Sequence, residues 1–217
     1  RLNIGKSGIL SWLLTKNISY ISGFNCLFEN HVHRRLFIYL KPYDIIILDI
    51  VKGLIDSEVE LLFNLHPDIT VFNEKNNIIG YINDNSEFTV TSLINSNSNF
   101  EIFKGNKDPL RGWYSPNYKD FIPSTQLSKK KNGDDIRFAT HINLLPDNRA
   151  ITDFYWDNNI IKFKFKNFRV EIFIEDIFEH IIINDKYFKS RKNFTKNNIF
   201  EHITNYNAEK FSNKFNI

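Results

Sequence analysis

The sequence predicts an all-β fold, a large antiparallel β-sandwich. Three observations carry that expectation. Residues 33–53 read as two long, mostly buried strands joined by a short turn at Lys41-Pro42-Tyr43-Asp44. Short apolar runs follow at regular spacing, separated by Asn, Asp, Ser and Lys turns, the pattern of a sandwich or barrel. Finally, Lys162-Phe163-Lys164-Phe165-Lys166 alternates charged with aromatic residues, the period of a half-buried strand.

Taken in order, the chain opens ambiguously. Gly5 and Gly8 interrupt residues 1–17, where only the apolar run at 12–14 suggests structure. Residues 18–24 read as a strand, and the polar segment 29–33 leads into the hairpin. In the first hairpin strand Leu36, Ile38 and Leu40 share one face, and Phe37 and Tyr39 the other. Both faces are apolar, so this strand is expected to be covered on both sides or to lie centrally in a large sheet. The return strand, residues 45–51, is nearly continuous aliphatic with Asp49 set inside it. An ionised carboxylate among Ile and Leu is costly unless paired. The turn brings Asp49 within a residue or two of Arg35, which predicts a structural cross-strand ion pair between Arg35 and Asp49. Arg34 is the alternative partner, because the sequence alone leaves the register open.

Residues 53–57 read as a turn or loop. Residues 58–66 then alternate, with Val59, Leu61, Phe63 and Leu65 on one face. Short strands are expected at 69–72, 78–82, 88–93 and 100–103. Residues 104–135 change character and hold three of the six prolines, which predicts a long ordered loop with rigid turns. Lys129-Lys130-Lys131 is expected to be a solvated part of it. Strand pattern returns at 136–145. A meander over 151–156, 160–165 and 168–174 follows, turning at 157–159 and 166–167. Beyond Asp176 the pattern fades. The expected division is a sandwich over residues 1–180 and a C-terminal extension over 181–217, partly flexible or helical.

The 217 residues suffice for one sizeable core, and sandwiches of this length are often one domain. The chain has no Met, and it reads as the C-terminal piece of a longer protein. A net charge of +3, from 28 basic and 25 acidic residues, is not the footprint of a nucleic-acid binder. No run of about 18 apolar residues exists, so no helical membrane span is expected. Cys26 is the only cysteine and makes no internal disulfide. Heavy use of Asn, Ile, Lys and Phe points to an AT-rich genome more than to a mechanism.

No complete active site is on display. His31 and His33 share one strand face, as two metal ligands would, but no third or fourth ligand follows nearby, and a polar strand entry is the stronger reading. His66, before Pro67, reads as the cap of a strand end, His141 as a hydrogen-bonded sheet residue, and Cys26 as a buried apolar side chain. Trp113, Tyr114 and Tyr118 are the aromatics best suited to stack on a sugar, against the plainer role of packing their loop. Arg111 beside them has the fork that meets a carboxylate bidentately.

Five segments stand in an order that resembles a known family. They are His33-Arg34-Arg35, the aliphatic strand ending at Asp49, Phe63-Asn64-Leu65-His66-Pro67, Gly112-Trp113-Tyr114-Ser115-Pro116, and residues 139–146 (Ala-Thr-His-Ile-Asn-Leu-Leu-Pro). Over roughly residues 1–180 the chain is similar to the C-terminal β-sandwich domain of heparinase II/III-like proteins. The resemblance implies a polysaccharide lyase acting on acidic, uronate-containing glycans by β-elimination. It also implies an α-helical toroid domain N-terminal to this chain and a periplasmic or cell-envelope location. In the family a neutralising Asn or Arg and a Tyr or His base do general acid–base work, and the groups that bear it would lie upstream. So would the His-Asn-Thr segment that supplies a ligand to a structural zinc, just before Arg1. No catalytic or metal residue, and no cofactor, is therefore assigned within this chain. The alternative reading is a non-catalytic carbohydrate-binding or scaffold module.

Overall fold

The computed structural model describes residues 7–26, 31–74, 77–83, 86–94, 99–145, 151–157, 159–174, 179–184, 186–189 and 191–192. All regular structure there is strand: β1 (Ser7–Leu14), β2 (Ile18–Asn25), β3 (Val32–Leu40), β4 (Asp44–Asn64), β5 (Ile69–Glu74), β6 (Asn77–Ile82), β7 (Ser86–Ser92), β8 (Glu101–Lys104), β9 (Asn106–Lys107), β10 (Leu110–Arg111), β11 (Trp113–Tyr114), β12 (Ile122–Pro123), β13 (Thr125–Asn143), β14 (Thr152–Asp157), β15 (Ile160–Phe165), β16 (Phe168–Ile174), β17 (Glu179–Ile183), β18 (Lys186–Lys189) and β19 (Arg191–Lys192). Ten of these make one sheet in the order β19-β1-β2-β3-β4-β13-β7-β6-β5, with β8 also on β13. Five make a second sheet, β14-β15-β16-β17-β18. Every pairing described is antiparallel, as the sequence predicts.

Alternation along the strands sorts side chains onto two faces. One face of β2, β3 and β4 carries Ile18, Tyr20, Leu36, Ile38, Leu40, Ile46 and Leu48. These pack on Ile161, Phe163, Val170, Ile172 and Ile181 of the five-stranded sheet, forming the first core. The second core holds Val51, Leu61, Phe88, Val90, Leu127 and Phe138. Val51 alternates with Ile50 and Phe138 with Ala139, so this core takes the opposite face of the β4–β13 pair. The β3 strand does lie centrally in the large sheet, but only one of its faces is covered. Phe37 is 41% exposed and Tyr39 38%, whereas Leu36 and Ile38 are fully buried.

Two expected loops are strand instead. Residues 53–57 belong to β4, which pairs with β13 as Ser57↔Gly133 on one side of an irregularity and Lys52↔Asp135 on the other. Gly53 at φ 92° and Gly133 at φ 144° let the ladder bend there without ending. Likewise β13 begins at Thr125 and not near residue 136, and the three lysines lie within it. Thr125, Leu127 and Lys129 alternate inward with buried side chains. The run of charge hides this alternation in the sequence. Of the expected long loop, residues 105–124 remain, tied by the short pairs β9–β10 and β11–β12.

The second sheet follows the Lys/Phe alternation: Ile161, Phe163 and Phe165 are buried, and Lys162 and Lys164 pair outward with Glu171 and Asp153. Strand pairing continues past residue 180. Ile181 and Ile183 enter the first core, and β19 pairs with β1. The sandwich therefore runs to Lys192 in the described residues. The rest of the expected extension, residues 193–217, lies outside them, as do residues 27–30.

Candidate functional site

The face of the large sheet opposite the first core can be read row by row from the strand register. One row crosses Ile9, Gly23, Arg35, Asp49 and Phe138, and the next crosses Asn25, His33, Val51 and Ile136. Asp49 thus stands opposite Arg35, with His33 two residues along on the same face. Arg35 Nε donates to Asp49 Oδ1 at 2.6 Å, and His33 Nε2 lies 2.5 Å from the same oxygen. Asp49 is 2% exposed, and its Oδ2 is buried with no hydrogen-bond partner. Its two partners are about one-third exposed. Arg34, the alternative partner, falls on the other face of the strand and reaches Ser22 Oγ.

This cluster lines an open cleft of about 620 Å³, with Asn25 and His31 beside it and residues 57–62 of β4, beyond the bend, as the opposite wall. The acids of that wall have cations of their own. Glu58 accepts from Lys130 Nζ at 2.7 Å. Glu60 accepts a bidentate pair from Arg111, with a further bond from Ser128. The hydrogen bond from Arg111 is the main reason the Glu60 carboxyl titrates below its usual range, against the upward push of burial.

The structure therefore engages the Arg111 fork within the protein. Its guanidinium also lies 4.6 Å above the Phe103 ring. Trp113 is half-buried and donates Nε1–H to the Asn106 carbonyl at 2.6 Å. Tyr114 rests against His66, with ring centroids 5.4 Å apart. Tyr118 projects at 88% exposure, with Lys119 Nζ over its ring. Of the four residues singled out in the loop, only Arg111 reaches the wall of the cleft, and it does so through Glu60.

His66 sits at the end of β4, its Nδ1 accepting from the Asp68 amide at 3.4 Å. His141 is buried and paired: its Nε2 lies 3.0 Å from Asp44 Oδ1, which also accepts from Asn143 Nδ2 at 2.9 Å. Cys26 is partly buried, and desolvation pushes its thiol up to about 11. The lysine run expected to be solvated is not so at its first member. Lys129 is 3% exposed, donates to Ser92 Oγ at 2.7 Å and lies over Phe100; burial brings its amine down to about 8. His33 as a second partner of Asp49 was detectable, since it is two residues from Arg35 on the same strand face. Glu60 as the partner of Arg111 carried no such signal.

No group of three or more His, Cys, Asp or Glu suited to a metal occurs among the described residues. His33 and Asp49 supply two groups at most, and Arg35 on the same carboxylate opposes a cation. The residues present do not fit a zinc ion, and none is given a role here. No described helix is long and apolar enough to cross a membrane.

The comparisons with known proteins bear on this geometry. No curated protein matches the sequence. Among solved structures, the heparinase III BT4657 gene product superposes with a TM-score of 0.58 at 16% identity, covering 86% of this chain and 28% of that one. The heparan sulfate lyase HepC from Pedobacter heparinus gives 0.57 at 13%, covering 88% and 28%. A mutant of it gives 0.61 at 13% identity, covering 88% and 29%. These likenesses concern the fold, and this chain spans under a third of the length of those proteins. The family model of the heparinase II/III-like C-terminal domain matches residues 17–157, from β2 through β14, and includes His33, Arg35 and Asp49. The chain belongs to the heparinase II/III-like C-terminal family.

Proposed function

We propose that this chain is the C-terminal sandwich of a polysaccharide lyase that cleaves uronate-containing glycans by β-elimination. In this reading it completes a cleft whose catalytic groups stand mainly on an N-terminal α-helical toroid. The observation that carries the reading is the face of β1, β2 and β3 opposite the first core. It presents Leu14 (75% exposed), Ile21 and Phe37 beside the polar cleft, while Tyr20, Leu36 and Ile38 on the other face are buried in the first core. A face half apolar and half polar suits contact with a second body along one part and with a polar ligand along the other. The same reading places the protein in the periplasm or cell envelope, and any zinc on upstream ligands.

The test is turnover. This chain alone is expected to leave acidic polysaccharides uncleaved, and joining it to its N-terminal region is expected to produce the ultraviolet absorbance of an unsaturated uronate. Turnover by the isolated chain would place the chemistry here and overturn the division of labour. A joined protein inert on every uronate polymer would remove the lyase reading altogether.

One observation favours a second reading, a carbohydrate-binding module: Tyr118 and Tyr114 stand exposed on the 105–124 loop. Glycan binding that survived Tyr114→Ala with Tyr118→Ala would dispose of it.

A further inference from the structure

A second cavity, of about 410 Å³, opens where β13 bends, between that bend, the residues that follow β7 and the edge strand β14. Among the described residues it shares no lining with the cleft beside Asp49. Its inner wall comes from an irregularity in β14. The register slips between Thr152 and Tyr155, with Asp153 at φ 53°, and Phe154 and Trp156 both turn onto the first core. With Leu93 and Ile94 they carry the apolar wall of that core out to the cavity. The bend supplies the polar side. Lys131 Nζ donates to the Arg137 carbonyl at 2.6 Å, and the Arg137 guanidinium lies 5.5 Å over the Trp156 ring. The Trp156 indole N–H is buried and meets no acceptor among the described residues.

We propose that this cavity binds a small monocarboxylate with an apolar body. The body lies against Phe154, Trp156 and Ile94, and the carboxylate sits at the edge made by the Trp156 N–H, Arg137 and Lys131. The site goes beyond the lyase reading and does not rest on it.

Three features set the class of ligand. A buried donor without an acceptor is costly, so the ligand must bring an acceptor to the indole N–H. The charges at the cavity favour an anion. Among its described lining residues Asp135 is the one acid, and it already faces Arg137 at 3.4 Å and Lys52 at 3.6 Å. Burial holds the Lys131 amine below its usual range, and an anion beside it would offset that push. Finally, the wall is aromatic and aliphatic, and its one carboxylate is engaged, so little is left to accept from the hydroxyls of a saccharide. The volume falls in the range of small-molecule sites, about 300–1,000 Å³.

The experiment titrates the isotope-labelled full chain with hydrocinnamate, a phenyl ring on a short chain ending in a carboxylate. Hydrocinnamamide serves as the uncharged match and methyl glucuronide as an acid without an apolar body. The readout is the Trp156 indole N–H signal in NMR, assigned by its loss in Trp156→Phe. Hydrocinnamate is expected to shift that signal saturably. The amide should bind about tenfold more weakly or worse, and the glucuronide should leave the signal in place. Arg137→Gln and Lys131→Gln are each expected to weaken hydrocinnamate about tenfold, and an unfolding curve on each variant separates lost binding from lost fold. A Trp156 signal unmoved by hydrocinnamate overturns the site. So does an amide that binds as tightly as the acid, since the carboxylate would then be idle. Equal binding by the glucuronide would remove the role of the apolar wall, and parent-like affinity in both variants would remove the cationic edge.

Discussion

Two buried polar side chains shape this sandwich in opposite ways. Lys129 is held with its amine at about 8, well under its usual value, because burial disfavours the charged form. The unfolded chain, with an ordinary lysine, binds the proton more tightly. The penalty is therefore fully present below about pH 8 and is relieved as pH rises from there toward the unfolded value. Its upper size is on the order of 3 kcal/mol. Lys129→Met is expected to raise the urea midpoint at neutral pH and to flatten the gain in stability that the parent shows above pH 8. Asp44 presents the reverse case. Fully buried, it accepts from both His141 and Asn143. Asp44→Ala leaves both of those donors unpaired, at a cost of roughly 3–5 kcal/mol in a denaturant titration. The contrast shows what is legible at this scale. Arg35 and Asp49 could be paired from sequence because a short turn joins their strands. A buried lysine inside a run of three could not, since charge runs are mostly solvated. Arg111 and Glu60 are 51 residues apart, and nothing local announces their meeting.

At the scale of elements, the 105–124 loop hinges on one residue. The Gly112 carbonyl accepts from both Gly105 N and Ser124 N, at 2.8 and 2.9 Å. Its φ is +69°, and a Cβ there would stand 2.7 Å from the Phe103 carbonyl oxygen and 2.8 Å from Lys104 Cα and the Ser124 carbonyl oxygen. Gly112→Ala therefore has neither the backbone conformation nor the space it needs. It is expected to loosen the loop, seen as faster proteolysis within residues 105–124, and to weaken the Arg111–Glu60 fork that the loop positions. In β6, a Cβ on Gly80 would fall 2.2 Å from the Phe88 ring. Gly80→Ala should displace that ring from the second core and cost roughly 1–3 kcal/mol, read as a lower melting midpoint. Glycine and proline made this loop visible in the sequence. The bend in β4 was mistaken for a loop because the same Gly53 that permits a turn also permits an irregular ladder.

For the whole molecule, the sequence pattern stopped short of the real edge. Beyond Asp176 the charged and aromatic residues blur the alternation, yet Ile181 and Ile183 complete the first core and β19 closes on β1. A chain ending at residue 180 is expected to unfold several kcal/mol more easily than one ending at 192, given the loss of two buried isoleucines. Paired denaturant curves would show it, and equal midpoints would mean that β17–β19 contribute nothing.

The β4–β13 ladder has a further consequence, for the order in which the chain folds. Its rungs join residues 62 apart at Asn64–Gln126 and 99 apart at Asp44–Asn143. The shorter loop is the cheaper to close, and β5–β7 form locally within it. Zipping is thus expected to start beside Leu61 and Leu127 and to travel toward Asp44, so that the second core consolidates before the first. Pulse-labelled amide exchange would then find early protection at residues 58–64 and 125–131, and late protection at 137–143.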